Sequence, residues 1–259
     1  MSSNDLQVSS SGHVTTIEIC RPPLNFFDLD LIRQIADQLD RIDADGNCRA
    51  VVLAAQGKAF CAGANFGGSA TESNPDAKRR NSGALYVEAV RIFRNKKPIV
   101  AAVHGAAIGG GFGLAMSADF RVACPETRFA ANFTRLGFHP GFGLTVTLPE
   151  VIGRTNAALM FYTSRRVTGE DAFRMGLANV LVAQDEVRAA ALKLAGEIAE
   201  NSPLGLTSTR ATMRAGLADR VKAATDHELK EQSWLRETAD FKEGVKATAE
   251  RRVPNFAGR

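Results

Sequence analysis

Pro98-Ile99-Val100-Ala101-Ala102-Val103-His104-Gly105-Ala106-Ala107-Ile108-Gly109-Gly110-Gly111-Phe112-Gly113-Leu114-Ala115 is the stretch that decides how this chain is read. Its first six residues are a short apolar run opened by Pro, which reads as a buried strand. Three consecutive glycines, Gly109 to Gly111, then lead into Phe112 to Ser117, a segment of good helix formers. Strand, glycine turn and helix start together bring bare backbone N–H groups to a point where partial positive charge collects. Glycine lets a ligand atom reach that backbone without meeting a Cβ. The stretch therefore reads as a place to hold an anion or a developing oxyanion. The same spacing also fits a close-packed strand-to-helix turn with no ligand, and the turn alone does not choose. A phosphate-cradling GxxxxGK[ST] loop is excluded, because no Lys-Ser or Lys-Thr follows the glycines. A dinucleotide fingerprint fits only loosely, through Gly111-Phe112-Gly113.

A chain of 259 residues suits one large domain, or a domain with a small appendage. Hydrophobic residues at 45% and charged residues at 23% are ordinary for a globular protein in water. The net charge of +4 is evenly spread apart from Lys78-Arg79-Arg80 and the C-terminal region. That is too mild for a nucleic-acid surface and compatible with a polyanionic small ligand. Cys20, Cys48, Cys61 and Cys124 are scattered, with no CxxC pair or zinc spacing. They read as small packing residues in a reducing compartment, with no metal expected. No apolar run approaches membrane-spanning length and Met1-Ser2-Ser3-Asn4-Asp5 is polar, so a cytoplasmic protein without a membrane partner is the expectation.

In chain order, His13 to Ile19 alternates as a first strand, and Arg21-Pro22-Pro23-Leu24-Asn25 stops it. Asp28 or Asp30 caps a helix whose Leu31, Ile32, Ile35, Leu39 and Ile42 fall at helical spacing. Ala50 to Ala55 is a buried strand. Gly67 to Gly83, polar and basic, reads as a mobile loop and candidate lid. A helix over 84–95 leads into the strand at 98–103, and two short strands follow at 119–124 and 127–131. Residues 132–143 are irregular, and helices occupy roughly 144–152, 155–163, 170–176, 186–200, 203–217, 220–236 and 238–251.

These residues resemble the crotonase, or enoyl-CoA hydratase/isomerase, superfamily over nearly the whole chain. Arg21 to Asn25 is similar to the family's first-strand exit, and Gly57-Lys58-Ala59-Phe60-Cys61-Ala62-Gly63-Ala64-Asn65 to its second-strand signature. The Gly109–Gly111 turn is similar to its third. Leu136-Gly137 with Pro140-Gly141, Leu148-Pro149, Ile152-Gly153, residues 165–178 and the tail from Phe241 to Pro254 complete the likeness. The resemblance implies an α/β fold: a spiral of ββα turns over 1–200 holding an acyl-CoA site, and a C-terminal helical region over 201–259 that builds trimers or dimers of trimers. It implies an acyl-CoA substrate, with coenzyme A entering only as part of that substrate and no separate cofactor. It also implies an enolate oxyanion held by two backbone N–H groups, which fall here on Ala64 and Gly110. Two preorganised donors of this kind contribute several kcal/mol to a developing charge.

The hydratases of the family use two glutamates, and those positions are Gly113 and Phe133 here. A third family position, the Asp after Ala-Gly-Ala, is Asn65. Hydration needs one carboxylate to orient water and one to supply a proton, so efficient hydration is not expected. Isomerisation, decarboxylation or thioester hydrolysis is expected instead, with His139 or Glu88 as the candidate base. His139 lies in the Phe138-His139-Pro140-Gly141 turn, where the competing reading is a structural histidine donating to a backbone carbonyl. Glu88 sits on the helix beneath the polar segment, where a solvated face competes. Substrate contacts are expected at Leu24, Lys58, Ala62, Asn65, Phe66, Gly109, Gly113, Phe133, Phe138 and Arg251. Within this set Phe133 and Phe138, with Phe112 and Phe142, would line an acyl pocket. Arg251 falls where the resemblance places a CoA-phosphate contact across a subunit interface, and Lys58 is a further CoA candidate. The alternatives are a non-catalytic acyl-CoA binder and a scaffold oligomer that binds no CoA.

Overall fold

The computed structural model describes the backbone of residues 5–65 and 75–259, and side chains over 5–65 and 82–259. The chain repeats a unit of two strands and a helix. β1 (Leu6–Ser11) and β2 (Val14–Ile19) form an antiparallel hairpin, followed by α1 (Leu29–Ala44). Asp28 caps α1, its carboxylate accepting from Leu31 N at 2.9 Å, and Leu31, Ile32, Ile35, Ala36, Leu39 and Ile42 are buried along one stripe. The next units are β3 (Ala50–Ala55), β4 (Ala59–Cys61) and α2 (Pro75–Arg94), then β5 (Ile99–Val103), β6 (Ala106–Ile108) and α3 (Gly110–Ser117). β7 (Phe120–Ala123), β8 (Arg128–Ala130) and α4 (Leu144–Thr163) complete the set. α4 turns at Gly153, where φ is 77° and ψ 156°, which is why the sequence reads as two helices there.

In the three units after the opening hairpin, the longer first strand joins one sheet and the short second strand joins another. With β9 (Val167–Thr168) and β10 (Val180–Leu181), the orders are β1-β2-β3-β5-β7-β10 and β4-β6-β8-β9. β2 onward is parallel in the larger sheet, so both its faces must be covered. One face packs on α1 to α4. The other takes α6 (Val187–Ala199), whose Val187, Ala191, Ala195 and Ala199 lie against Val52, Val100 and Val122. α5 (Gly169–Arg174) separates β9 from β10. α7 (Pro203–Met213), α8 (Leu217–Leu235) and α9 (Ala239–Ala249) follow, with α8 lying along α2 and α4.

The α/β spiral agrees with the architecture expected from sequence. Some local readings need correction. β4, β6, β9 and β10 have two or three residues each, too few to show alternation. β1 buries only Leu6, so as an edge strand it carries no apolar signal. The candidate lid over 67–83 is helical from Pro75; its first part lies outside the described residues. Lys and Arg are good helix formers, and the helix is anchored downstream by buried Ala89, Val90, Ile92 and Phe93. Gly83 lies within this helix, where a Cβ would make ordinary contact with Leu229 of α8 at 3.5 Å.

Candidate active site

β4 and β6 run parallel, Ala59 opposite Ala106 and Cys61 opposite Ala107. The segments that follow them therefore leave one sheet edge side by side. On the β6 side, Gly109 adopts φ of 56° and donates its N–H to Ala130 O at 2.8 Å. α3 then begins at Gly110, whose N–H is at the first helical position and has no intrahelical acceptor. On the β4 side, Ala64 makes a one-residue parallel bridge with Phe27, in which Phe27 N donates to Gly63 O at 3.1 Å. In such a bridge the N–H of the bridging residue points away from the partner strand. Gly63, at φ of 85°, brings the two segments together: a Cβ on it would lie 2.7 Å from Ile108 O and 3.9 Å from Gly110 N. Ala64 and Gly110 are both half-buried and lie together at the start of α3, the positive end of that helix.

The rest of the turn is closed. A Cβ on Gly111 would lie 2.2 Å from Cys61 O, and one on Gly110 would lie 2.3 Å from the Phe27 ring. Asn25 locks the neighbouring segment. It is fully buried at φ of 51°, donates to Gln56 O at 2.6 Å and to Ala59 O at 2.7 Å, and accepts from Arg21 N at 3.0 Å. Lys58 N bonds Pro23 O and Ala62 N bonds Leu24 O, at 2.9 and 3.0 Å. Leu24, Lys58, Ala62, Ala64 and Asn65 thus share one accessible rim. Phe133 stands on the other side, its ring tip 3.7 Å from a Cβ placed on Gly109, and packs edge-on to Phe138 at 5.4 Å.

Ala64 and Gly110 thus stand side by side where two parallel strands of a ββα spiral end. The family model described as enoyl-CoA hydratase/isomerase matches residues 9–259. The chain belongs to that family. It is 31% identical to a crotonyl-CoA hydratase of Syntrophomonas wolfei, over 99% of each chain. It is 30% identical to a carnitinyl-CoA dehydratase of Proteus mirabilis, over 99% of this chain and 100% of the relative. The crystal structure of an enoyl-CoA hydratase/isomerase from Pseudoalteromonas atlantica superposes with a TM-score of 0.85 at 29% identity, over 98% of this chain and 100% of the other. As a family member the protein is an enzyme that transforms acyl-CoA.

Against that family pattern several expected residues are placed differently. Gly113 is buried and faces the core, not a ligand: a Cβ there would meet Phe142 Cβ at 2.6 Å and ring carbons at 2.9 Å. Phe142 and Phe112 are core as well, Phe142 between Phe27 and Phe93, Phe112 against Phe129 at 5.3 Å. Glu88 is no base for this site. Its carboxylate pairs with Arg33 at 3.3 Å and Arg91 at 2.5 Å on the seam between α1 and α2, because the inward face of α2 is taken by apolar residues. Phe66 lies outside the described residues. Arg251 is exposed at φ of 56°, and none of its described contacts reaches the other site residues. Cys61 is a packing thiol, pushed up to about 12 by burial. His104 is structural, its Nε2 bonded to Gly57 O at 3.0 Å.

His139 is half-buried. Its Nδ1 donates to Pro140 O at 2.9 Å and its ring meets His227 edge-on at 5.8 Å. α8 holds this loop. Gln232 Nε2 donates to the carbonyls of His139 and Pro140 at 2.9 and 3.2 Å, and its Oε1 accepts from Tyr86 Oη at 3.1 Å. Glu228 is fully buried and accepts from Gly143 N at 2.9 Å and Thr145 Oγ1 at 2.6 Å. Sequence reading missed Glu228 and Gln232. Their signal was a buried stripe, Val221, Thr225, Glu228 and Gln232, at three- and four-residue spacing.

Proposed function

We propose that this enzyme stabilises the enolate of an acyl-CoA thioester at Ala64 and Gly110 and carries out isomerisation, decarboxylation or thioester hydrolysis, not efficient hydration. The observation behind this reading is the pair of positions to which the family resemblance carries the hydratase glutamates. Gly113 has no side chain, and Phe142 occupies the space one would enter. Phe133 brings a buried ring beside Gly109. With no carboxylate at either position, water is neither oriented nor protonated in the usual way.

Decarboxylation makes the smallest demand. Loss of CO₂ leaves the enolate directly, and two amide donors lower its energy without a base. Isomerisation and hydrolysis need a proton carrier. His139 is the candidate: with Nδ1 donating to Pro140 O, its Nε2 is the basic atom. Assembly into a trimer or dimer of trimers, with Arg251 reaching a neighbour's CoA phosphate, completes the proposal.

The test is mass-resolved chromatography of enoyl-, β,γ-enoyl-, malonyl-type, β-keto- and aromatic acyl-CoAs incubated with the protein. Migration of a double bond, loss of CO₂ or release of free CoA in one substrate supports the reading. Rapid water addition to crotonyl-CoA overturns it. Binding of the panel without turnover identifies an acyl-CoA-binding homologue instead.

A further inference from the structure

Arg236 closes α8 from its C-cap position and is half-buried. Its carbon Cζ lies 5.4 Å from the centroid of Phe138 and 6.0 Å from that of Phe241. Ring faces hold a cation there, but they are not a counter-ion. Among the described residues Arg236 forms no ion pair, although sixteen are found elsewhere. Glu228, two turns earlier on the same helix, is turned to the amides of Gly143 and Thr145. The C-terminal dipole of α8 offers only fractional negative charge. Burial lowers the pKa of Arg236, as it must for a cation taken from water without an anion. A buried charge in this condition is costly, and its cost falls when an anion arrives.

Arg236 also stands at the end of a path that starts at the oxyanion donors. Phe133 touches the Gly109 turn, Phe138 packs on Phe133 at 5.4 Å, and Arg236 lies over Phe138. Phe133 and Phe138 are buried, so the three side chains form one packed line from the Gly109 turn to Arg236. We propose that Arg236 receives a carboxylate at the far end of the acyl chain, so that the enzyme prefers ω-carboxyacyl-CoA thioesters over plain acyl-CoAs of equal length. This inference rests on the acyl-CoA reading given above. It adds a specificity residue on a helix that carries no family signature motif.

The test is calorimetric binding of matched saturated pairs, made as thioether analogues that cannot be hydrolysed: glutaryl- against pentanoyl-CoA, adipyl- against hexanoyl-CoA, suberyl- against octanoyl-CoA. At one length at least, the carboxylated member should bind about tenfold more tightly, the range of a charge-assisted bidentate contact. Arg236→Met keeps the stem packing and should erase that preference while leaving the plain acyl-CoA within about twofold. Arg236→Lys should retain part of it. Equal binding at all three lengths, or a preference that survives Arg236→Met, overturns the inference while leaving the acyl-CoA reading intact. The wild-type comparison decides even where a variant folds poorly. A protein that binds neither series, nor CoA itself, overturns the acyl-CoA reading and this inference with it.

Discussion

Two local arrangements carry most of the logic around the site, the Gly113–Phe142 pair and the bonds of Asn25. Gly113 and Phe142 are matched, one lacking a side chain where the other needs room. Gly113→Ala should destabilise the protein by about 1–3 kcal/mol through overpacking, read from urea unfolding. Adding Phe142→Ala should cost less than the sum of the two single changes, because the space is then shared. Additive costs would mean that the two positions do not meet. Asn25 is the second. Its amide satisfies two carbonyls of the segment before Ala64 while its backbone sits in the left-handed region. Asn25→Ala leaves both carbonyls unpaired in a buried place, at about 1–3 kcal/mol for each group. The variant should lose stability and turnover together, as measured by melting and by acyl-CoA conversion. The motif around Asn25 was visible in sequence, but its bonds join residues 31 and 34 apart, which no local pattern reveals.

At the scale of elements, α8 acts as a clamp on the loop before α4. The Glu228 carboxylate takes the place of a side-chain cap at the start of α4, where Gly143 has none to offer. Burial raises its pKa above the ordinary value of 4.5, against the lowering effect of Thr145 and Gly143. The unfolded chain therefore releases this proton at lower pH than the folded one. Stability supplied by this site is greatest below the ordinary carboxylate range and falls as pH rises from there to the folded value. Glu228→Gln should flatten that part of the curve, seen in urea midpoints between about pH 4 and about pH 8. An unchanged slope would assign the pH dependence elsewhere. The helices themselves were legible, since their apolar stripes repeat at helical spacing. The direction of Glu88 was not: Arg33 and Asp37 of α1 decide it through Arg91 and Glu88.

Over the whole molecule, α7 is fastened to the spiral by charge. Asp119, at the entrance to β7, pairs with Arg210 at 2.9 Å and Arg214 at 3.0 Å, and accepts from Ile99 N at 2.8 Å. Arg121 lies nearby, lowered to about 10 by burial. Asp119→Ala leaves buried guanidinium groups without their anion and should cost about 3–5 kcal/mol, measured by urea unfolding. A loss of under about 1 kcal/mol would mean that the pairs are only surface contacts.

The sequence by itself determined the α/β repeat, the glycine turn and the absence of carboxylates at positions 113 and 133, because these are matters of residue type and short spacing. The family resemblance carried by its short motifs implied Ala64 and Gly110 as oxyanion donors. Only the tertiary structure decided which way side chains face. It placed Phe142 against Gly113, turned Glu88 onto the seam of α1, gave Glu228 to the start of α4 and set Arg236 over two rings with no anion among the described residues. Each of those outcomes depends on contacts between residues far apart in the chain, where packing and desolvation set the energy and local pattern carries no record of it.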